Sequence, residues 1–420
     1  MAFFASLFRR KADQPIDRFL IGFRGSERAK SWSAQNLMEL YRNWVAVCVD
    51  RIAQVAADVP TYLYYANGGA QVRAYRCLDV PPSRLPSVKS GFRRLGIKAG
   101  QVVEIEHHPM LEFLRGNDGQ PGWRDIVALS LSYECLIGNS YWLREPEEGP
   151  LEALIPLQSE CMSVLVDSRN RRAVGYVYRP SRGPEAGQEI RYSVRQIVAF
   201  KLLAPGTNVA TVGKGPLERV VANASLYDKY DTFECDLMDN NARPDYLLSY
   251  KGIPGEAEKK AILKQVEKAF GGSNRGRPLV SGGDLDVKPI GFNPRELQYD
   301  KGRHWMMRVV LAEFGVPESI ALLNDANRAS ATVALQQFRS LTVNPLLAGF
   351  LAQWNRQVTA QYDDGLMYWL DESAVYDPVE RSQAVCAEMA AGIIGRDEAR
   401  AELGYDKAGP AAMSGQGQED

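Results

Sequence analysis

Two helical patterns that enclose a different kind of unit constrain the fold of this sequence most. Apolar residues recur at three- and four-residue steps over 216–240 and again over 295–314, which predicts two amphipathic helices. Between them, 242–294 has the pattern of a strand, a helix from Glu256 to Phe270 and two further strands, framed by Gly, Asn and Asp residues. We therefore expect a pair of long helices that carries a small inserted unit.

The sequence before this pair predicts an α+β unit. Helical periodicity runs over 33–58 and over 123–137. Strand-like alternation covers much of 151–203, and Thr61–Tyr65 has the composition of a further strand. The glycines of 213–217 mark the end of this unit.

The remainder of the chain predicts a loop, a long helix and a small helical end. The loop is expected over Gly315–Asp325. A long helix is expected over 328–360, with a bend at Pro345, and a strand over 366–370. Two short helices over 379–403 and a disordered tail of small and acidic residues complete the prediction.

Composition and charge exclude several classes of protein. The 420 residues are 45% hydrophobic and 24% charged, which is typical of a globular chain. The net charge of −1 argues against tight binding of nucleic acid through a strongly basic surface. The charge is nevertheless uneven: seven basic and three acidic side chains give +4 in 1–31, nine and six give +3 in 242–294, and four and thirteen give −9 in 361–420.

The amino-terminal residues predict an arm rather than a targeting segment. Met1–Phe8 is apolar but far shorter than the ~18–20 residues that cross a bilayer, and no other stretch reaches that length. The basic residues Arg9, Arg10 and Lys11 follow the apolar run, whereas in a secretory signal they precede it. We expect residues 1–32 to form an arm, either flexible or docked through its apolar strip on a neighbouring molecule.

The cysteines predict neither a disulfide framework nor a metal site. They are scattered along the chain, without a C-x-x-C pair, at Cys48, Cys77, Cys135, Cys161, Cys235 and Cys386. Four of them, Cys48, Cys135, Cys235 and Cys386, lie in helical patterns. We expect small buried hydrophobic residues in a protein of a reducing compartment.

No enzyme motif is complete. Gly271–Gly276 has the glycine spacing of a phosphate loop, but Arg277-Pro278 stands where that motif needs Lys followed by Ser or Thr. His304 has no H-E-x-x-H partner, and the adjacent His107 and His108 would point about 100° apart on a helix. We therefore expect no catalysis, no cofactor and no metal.

The other polar candidates are explained by ordinary structure. His107 and His108 are expected to be solvated at the start of a short helix over 107–114. Asp363-Asp364 and Asp371-Glu372 are expected to be solvated turns rather than acid–base pairs.

Several segments resemble the portal proteins of tailed bacteriophages, of the type found in long-tailed phages and gene transfer agents. The helix-to-strand segment Tyr41–Tyr64 is similar to the opening of that family. Short family motifs follow in the same order at His108–Leu114, Leu136–Trp142, Gly215–Leu217, Phe314–Pro317, Thr342–Pro345, Asp397–Arg400 and Leu403–Gly404. No one segment is specific, but their common order is difficult to explain by chance. The resemblance leaves open whether the source is a phage, a prophage or a gene transfer agent.

The resemblance implies the portal fold, an α+β fold whose parts follow a fixed order. By that order the parts are an N-terminal arm (1–32), an α/β wing (33–212), a first stem helix (213–241), a small α/β clip (242–294), a second stem helix (295–315), a tunnel loop (316–329), a long supporting helix that returns to the wing (330–377), a short helical crown (378–404) and a disordered tail (405–420).

The resemblance also implies a function without catalysis. Portal proteins form a ring of about twelve subunits at one capsid vertex. A separate terminase motor pumps DNA through the central channel, DNA later leaves the same way, and the ring docks head-completion and tail proteins. The implied partners are other copies of the chain, terminase, head-completion or adaptor proteins, the major capsid protein and double-stranded DNA, with no membrane. The implied location is the virion, after assembly in the cytoplasm of the host bacterium.

Two groups of residues are the candidate sites. Asn324, Asn327 and Arg328 of the tunnel loop are expected to come nearest the DNA, although Asn and Asp there equally suit a chain turn and a helix cap. The clip lysines Lys259, Lys260, Lys264 and Lys268 are either a solvated helix face or a set that binds partner proteins or DNA. The alternative function is a non-catalytic capsid adaptor or scaffold that does not contact DNA, and an enzyme with an unrecognised site stays open.

Overall fold

The computed structural model describes residues 18–21, 33–66, 75–81, 83–98, 100–117, 119–167, 172–205, 212–239, 246–250, 260, 285–289, 299–322, 328–372 and 378–405. The chain separates into two compact units. The first contains the residues up to Val221 and from Val310 onward, and the second contains those from Ala222 to Val309. None of the helices described has the length and apolar content needed to cross a membrane.

Strands and helices both contribute to the fold. The strands are β1 (Arg18–Ile21), β2 (Thr61–Ala66), β3 (Cys77–Asp79), β4 (Val102–Ile105), β5 (Asn139–Glu145), β6 (Ala153–Pro156), β7 (Met162–Asp167), β8 (Ala173–Tyr178), β9 (Ile190–Tyr192), β10 (Ile197–Lys201), β11 (Tyr246–Tyr250), β12 (Leu285–Pro289) and β13 (Leu366–Leu370). The helices are α1 (Ala34–Glu39), α2 (Asn43–Ala57), α3 (Leu85–Arg94), α4 (Pro109–Leu114), α5 (Trp123–Ile137), α6 (Pro216–Asp239), α7 (Tyr299–Phe314), α8 (Glu318–Leu322), α9 (Arg328–Phe338), α10 (Asn344–Gln357), α11 (Pro378–Ala390) and α12 (Arg396–Glu402).

The helix predicted over 33–58 is two helices. Ser33 caps α1, since its Oγ accepts the N–H of Asn36 at 3.1 Å. Asn43 then adopts φ 51°, in the left-handed region that Asn tolerates better than most residues, and α2 starts there as a separate helix. The apolar spacing continues across this break because both helices face the same core, so periodicity alone could not reveal it.

One sheet joins distant parts of the sequence. Its order is β13-β2-β4-β3, and each neighbouring pair is antiparallel. Leu63 of β2 stands opposite Tyr368 of β13, and every residue of β13 is buried. The strand predicted over 366–370 is therefore an integral part of the sheet that the early strands begin.

Two further sheets of the first unit share a hydrophobic core. Their orders are β10-β5-β6 and β1-β7-β8-β9. Tyr141 of β5, Val164 and Val166 of β7 and Tyr176 of β8 are buried together in this core. Strand β1 pairs with β7, so part of the segment predicted as an arm lies at a sheet edge.

The long helix predicted over 328–360 is present but irregular. It consists of α9, a π-helical turn at Arg339–Val343, and α10. Proline lacks an N–H and its ring clashes with the carbonyl four residues earlier, and Pro345 stands in the first turn of α10. The π turn absorbs this misfit, so the irregularity occurs just before the expected bend.

The second unit is small in its described part. It holds much of α6 and α7 and the antiparallel pair β11–β12, in which Leu248 stands opposite Val287. Both strands match the predicted ones within a residue. Of the helix expected from Glu256 to Phe270, the structure describes Lys260 alone, which is helical and exposed.

The cysteine prediction is partly wrong. All six are free, and Cys48, Cys135 and Cys161 are buried as small hydrophobic residues. Cys235 and Cys386 are exposed instead, because membership of a helical pattern does not determine which face of the helix a residue occupies.

Candidate functional site

Two of the sequence motifs meet at the base of the segment 316–329. Thr342, in the π turn, donates from its Oγ1 to the carbonyl of Gly315, just after α7, at 2.8 Å. Gly315 has φ 66°, and a Cβ added to it would lie 2.5 Å from Thr342 Oγ1, so neither backbone nor space permits a larger residue. The segment between these two residues therefore begins and ends at the same place, the contact between Gly315 and Thr342.

The described residues of the segment between Gly315 and Thr342 are largely helical. Residues 316–329 were predicted as a loop, but α8 (Glu318–Leu322) occupies part of it. Arg328 is the first residue of α9. Asn324 and Asn327 lie outside the described residues, as does the side chain of Arg328, and so do the clip lysines Lys259, Lys264 and Lys268.

Amide side chains fasten α10 to the edge strand β10. Gln357 Oε1 accepts the N–H of Ala199 at 3.0 Å, and its Nε2 donates to the carbonyl of Ala199 at 2.9 Å. One turn earlier, Gln353 makes the same pair of bonds with Lys201, at 2.9 and 3.1 Å. The two glutamines thus satisfy backbone groups that an additional strand would otherwise satisfy.

A third amide of α10 fastens the other sheet. Asn355 Oδ1 accepts the N–H of Tyr368 at 2.8 Å, and its Nδ2 donates to the carbonyl of Tyr368 at 2.9 Å. Tyr368 belongs to β13, the edge strand of the first sheet. One helix therefore closes the edges of two sheets. Sequence reasoning missed these amides, although Gln353, Asn355 and Gln357 stand close together after the apolar run of α10.

Aromatic rings fill the space between α10 and the same strands. The ring centroid of Trp123 lies 4.7 Å from that of Tyr368 and 5.2 Å from that of Trp354. Phe200 of β10 and Phe350 of α10 are 4.3 Å apart. Each such pair contributes about 0.5–1.5 kcal/mol beyond the burial of its area. The second half of the long helix is thus held by aromatic packing as well as by its amide hydrogen bonds.

Two polar residues expected to be solvated are buried parts of the framework. His108 Nδ1 accepts the N–H of Met110 at 3.1 Å and so caps α4, and burial lowers the pKa of His108, which favours the neutral acceptor form. Asp371 is buried 3.9 Å from Arg84 Nε, and Arg84 Nη1 is 3.1 Å from Glu104. Burial raises the pKa of Glu104, although Arg84 opposes the shift.

In the second unit, an arginine of α7 binds α6. Arg303 Nη2 lies 2.8 Å from Asp231 Oδ1 and 3.2 Å from the hydroxyl of Tyr227, and Arg303 also contacts Glu234. Met306 and Met307 of α7 are buried, but Trp305 is 67% exposed. It lines a depression of about 410 Å³ together with Lys301, His304 and Arg308.

The described part of the chain lacks the side-chain groupings that hold metal ions. Groups of three or more His, Cys, Asp or Glu side chains placed to hold a metal ion do not occur among those residues. The described residues form a structural framework instead. In it, α10 is hydrogen-bonded to the edge strands of two sheets, and the segment between Gly315 and Thr342 is closed by a hydrogen bond between its two ends.

Comparison with known proteins identifies relatives over most of the length. The family model described as "Phage portal protein" matches residues 74–404. An uncharacterised protein of Rickettsia bellii is 24% identical over 315 residues, 72% of this chain and 80% of the relative. Another from Rickettsia felis is 22% identical over 347 residues, 79% of this chain and 86% of the relative.

Solved structures share the fold. A chain in the neck of an empty gene transfer agent particle, computed with C6 symmetry, superposes with a TM-score of 0.60 at 23% identity, covering 93% of this chain and 96% of that one. A chain in the neck of the native particle, computed with C12 symmetry, gives 0.54 at 24% identity, with 90% and 95% covered. A portal protein of the HK97 phage family from Corynebacterium diphtheriae gives 0.52 at 12% identity, with 81% and 95% covered.

Proposed function

The chain belongs to the phage portal protein family, and from this membership we propose that it forms a ring at one capsid vertex through which double-stranded DNA passes. The match of the family model to residues 74–404 is the observation that carries the proposal, because it spans most of the chain, including the segments proposed below as channel, stem and clip. The related fold in particle necks computed with C6 and C12 symmetry supports an assembly of about twelve copies.

The hydrogen bond between Thr342 and Gly315, which closes the base of this segment, supports the proposed channel role of 316–329. A moving DNA duplex needs a wall with few cations, since each neutralised phosphate adds affinity that would stall it. Residues 322–328 contain two leucines, three asparagines or aspartates before Arg328, and one alanine, so charge is sparse. We propose that Asn324, Asn327 and Arg328 approach the DNA, with the fastened helix α10 as their support.

Exposed apolar side chains on the long helix suit contacts between copies. Leu341 is 76% exposed and Val333 is 50% exposed, whereas buried neighbours such as Phe338 and Val343 face the core. A ring of identical copies needs one such surface to meet a different surface of the next copy. We assign Leu341 and Val333 to that proposed contact.

The second unit is proposed as stem and clip. Its two helices would form the stem, and its two-stranded sheet would belong to the clip. The clip would bind terminase during packaging and head-completion proteins afterwards, through Lys259, Lys260, Lys264 and Lys268. The wing (33–212) and crown (378–404) would face the major capsid protein and the capsid interior. The packaging motor is a separate terminase, and the portal itself performs no chemistry.

Electron microscopy of the purified chain tests the proposed ring. We expect hollow rings of about twelve subunits with a central channel. A compact monomer or dimer in every buffer tested would contradict the proposal.

The DNA-passage part of the proposal has its own test. Arg328→Ala should reduce the DNA packaged per particle several-fold while rings form normally, because it removes the single cation with which residues 322–328 would guide the phosphate backbone without holding it. Arg356→Ala, which removes an exposed arginine from α10, is the matched control and should package normally. Packaging measured by nuclease protection that is equal in both variants would remove Arg328 from the proposed site. Rings that never admit DNA would favour an adaptor or scaffold instead.

A further inference from the structure

A groove between α2 and α5 has an apolar floor and an acidic rim. It encloses about 410 Å³, within the ~300–1,000 Å³ typical of ligand pockets. Ala53 of α2, Ala128 and Leu129 of α5 and Trp142 of β5 contribute to its apolar lining, and Leu129 remains 37% exposed. Such a surface gains free energy when apolar side chains cover it.

Two carboxylates give the groove its negative charge. Asp50 lies on α2 and accepts the hydroxyl of Tyr41, and Asp125 lies on α5 and accepts the N–H of Gly122 at 3.2 Å. Both donors are neutral, and within the described residues neither carboxylate has a cationic partner within 4.0 Å. A ligand with apolar groups followed by cations would therefore match the floor and the rim together.

The chain itself contains a segment with that chemistry. Phe3, Phe4, Leu7 and Phe8 supply apolar side chains, and Arg9-Arg10-Lys11 follow directly. Nine residues separate Phe8 from β1, which begins at Arg18, and they span up to about 30 Å when extended. The segment is therefore tethered to the first unit and held near it at a high effective concentration.

We propose that the groove between α2 and α5 binds the amino-terminal segment Phe3–Lys11, with the aromatic side chains on the apolar floor and the arginines at Asp50 and Asp125. The contact combines apolar burial with charge pairing, so added salt weakens it without abolishing it. It does not depend on the proposed ring: it exists in a single copy, or between copies where the arm is exchanged.

Photo-crosslinking in the full-length chain tests the contact. A benzophenone amino acid is placed at Phe4, and mass spectrometry identifies the residues to which it attaches. We expect attachment to the α5 segment around Leu129 or to β5 around Trp142. Gel mass shows whether the link lies within one chain or between two copies, and both results support the proposal. Attachment elsewhere overturns it, whether or not rings are seen by microscopy.

Charge exchange provides the matched control. Asp50→Arg with Asp125→Arg should reduce the yield at α5 at least several-fold, whereas Asp364→Arg, at an exposed carboxylate away from the groove, should leave it unchanged. Arg9→Glu with Arg10→Glu alters only the arm and should cause the same loss without affecting folding. Combining both pairs of changes should restore the crosslink. A yield that none of these variants changes would overturn the proposed charge pairing.

Discussion

Glu134 shows how the burial of one side chain affects the whole molecule. It is fully buried in α5, and both carboxylate oxygens lack a hydrogen-bond partner among the described residues. Burial raises the pKa of Glu134 from 4.5 to about 8, so the folded protein holds it protonated at neutral pH. Ionising Glu134 therefore costs free energy in the folded protein, where it is buried, but not in the unfolded chain, where water solvates it.

The pH dependence of stability follows from this shift. Between about pH 4.5 and 8 the unfolded chain has released the proton and the folded chain has not, so the free energy of unfolding falls as pH rises. We predict that Glu134→Met stabilises the protein by about 3–5 kcal/mol more at pH 8 than at pH 4.5. Urea unfolding at the two pH values measures the difference. Glu152→Met, at an exposed position, should show no such change with pH.

The contact between Gly315 and Thr342 depends on two single residues. Gly315→Ala forces an L side chain into φ 66° and against Thr342, and we predict a loss of about 2–3 kcal/mol in the free energy of unfolding. Thr342→Ala removes the side chain that a new Cβ would meet and should cost about 1 kcal/mol through the lost hydrogen bond.

The double variant tests whether the two residues act as a pair. Gly315→Ala with Thr342→Ala should be more stable than the sum of the single losses implies, since the clash is gone and backbone strain alone remains. Additive losses in urea unfolding would show that the close approach is not the source of the effect.

At the scale of elements, the glutamines of α10 are the critical link. Replacing Gln353 and Gln357 with Ala would leave backbone groups of Ala199 and Lys201 without partners at a buried sheet edge. We predict a loss of about 2–4 kcal/mol in the free energy of unfolding and faster hydrogen exchange at the amides of Ala199 and Lys201. Gln337→Ala, at an exposed position of α9, is the matched control. Unchanged exchange at both amides would contradict the role of the glutamines.

Element boundaries were predicted well where a local signal exists. The helices over 123–137 and 216–240 and the strands of 151–203 are confirmed, because capping residues, glycines and apolar spacing act on neighbouring residues. Strand β3, helix α3 and strand β4 were not predicted, since their amphipathic patterns are short. The break between α1 and α2 was missed because one asparagine makes it.

At the scale of the whole molecule, the last strand completes the sheet to which β2, β3 and β4 belong. Strand β13 is buried along its full length and pairs with β2. We predict that a chain ending at Gly365 loses cooperative unfolding, because β2 would have an unpaired apolar edge. A chain ending at Glu372 retains β13 and should still unfold cooperatively. Calorimetry distinguishes them, and equal behaviour of the two chains would contradict the prediction.

The site was predictable only in part. The motifs around Gly315 and Thr342 were found in the sequence, but nothing local indicates that they touch across 27 residues. His108 and Asp371 were wrongly expected in solvent, because their polar character is visible in the sequence and their contacts with Met110 and Arg84 in the folded chain are not.

The sequence by itself determined most of the helices and strands, their order and the family they represent, because periodicity, caps and motifs depend on residues close together in the chain. Only the tertiary structure decided that β13 joins β2, that three amides of α10 close two sheet edges and that Thr342 pins Gly315. These contacts join residues far apart in the sequence, and their free energy comes from the burial and pairing that exist once the chain has folded.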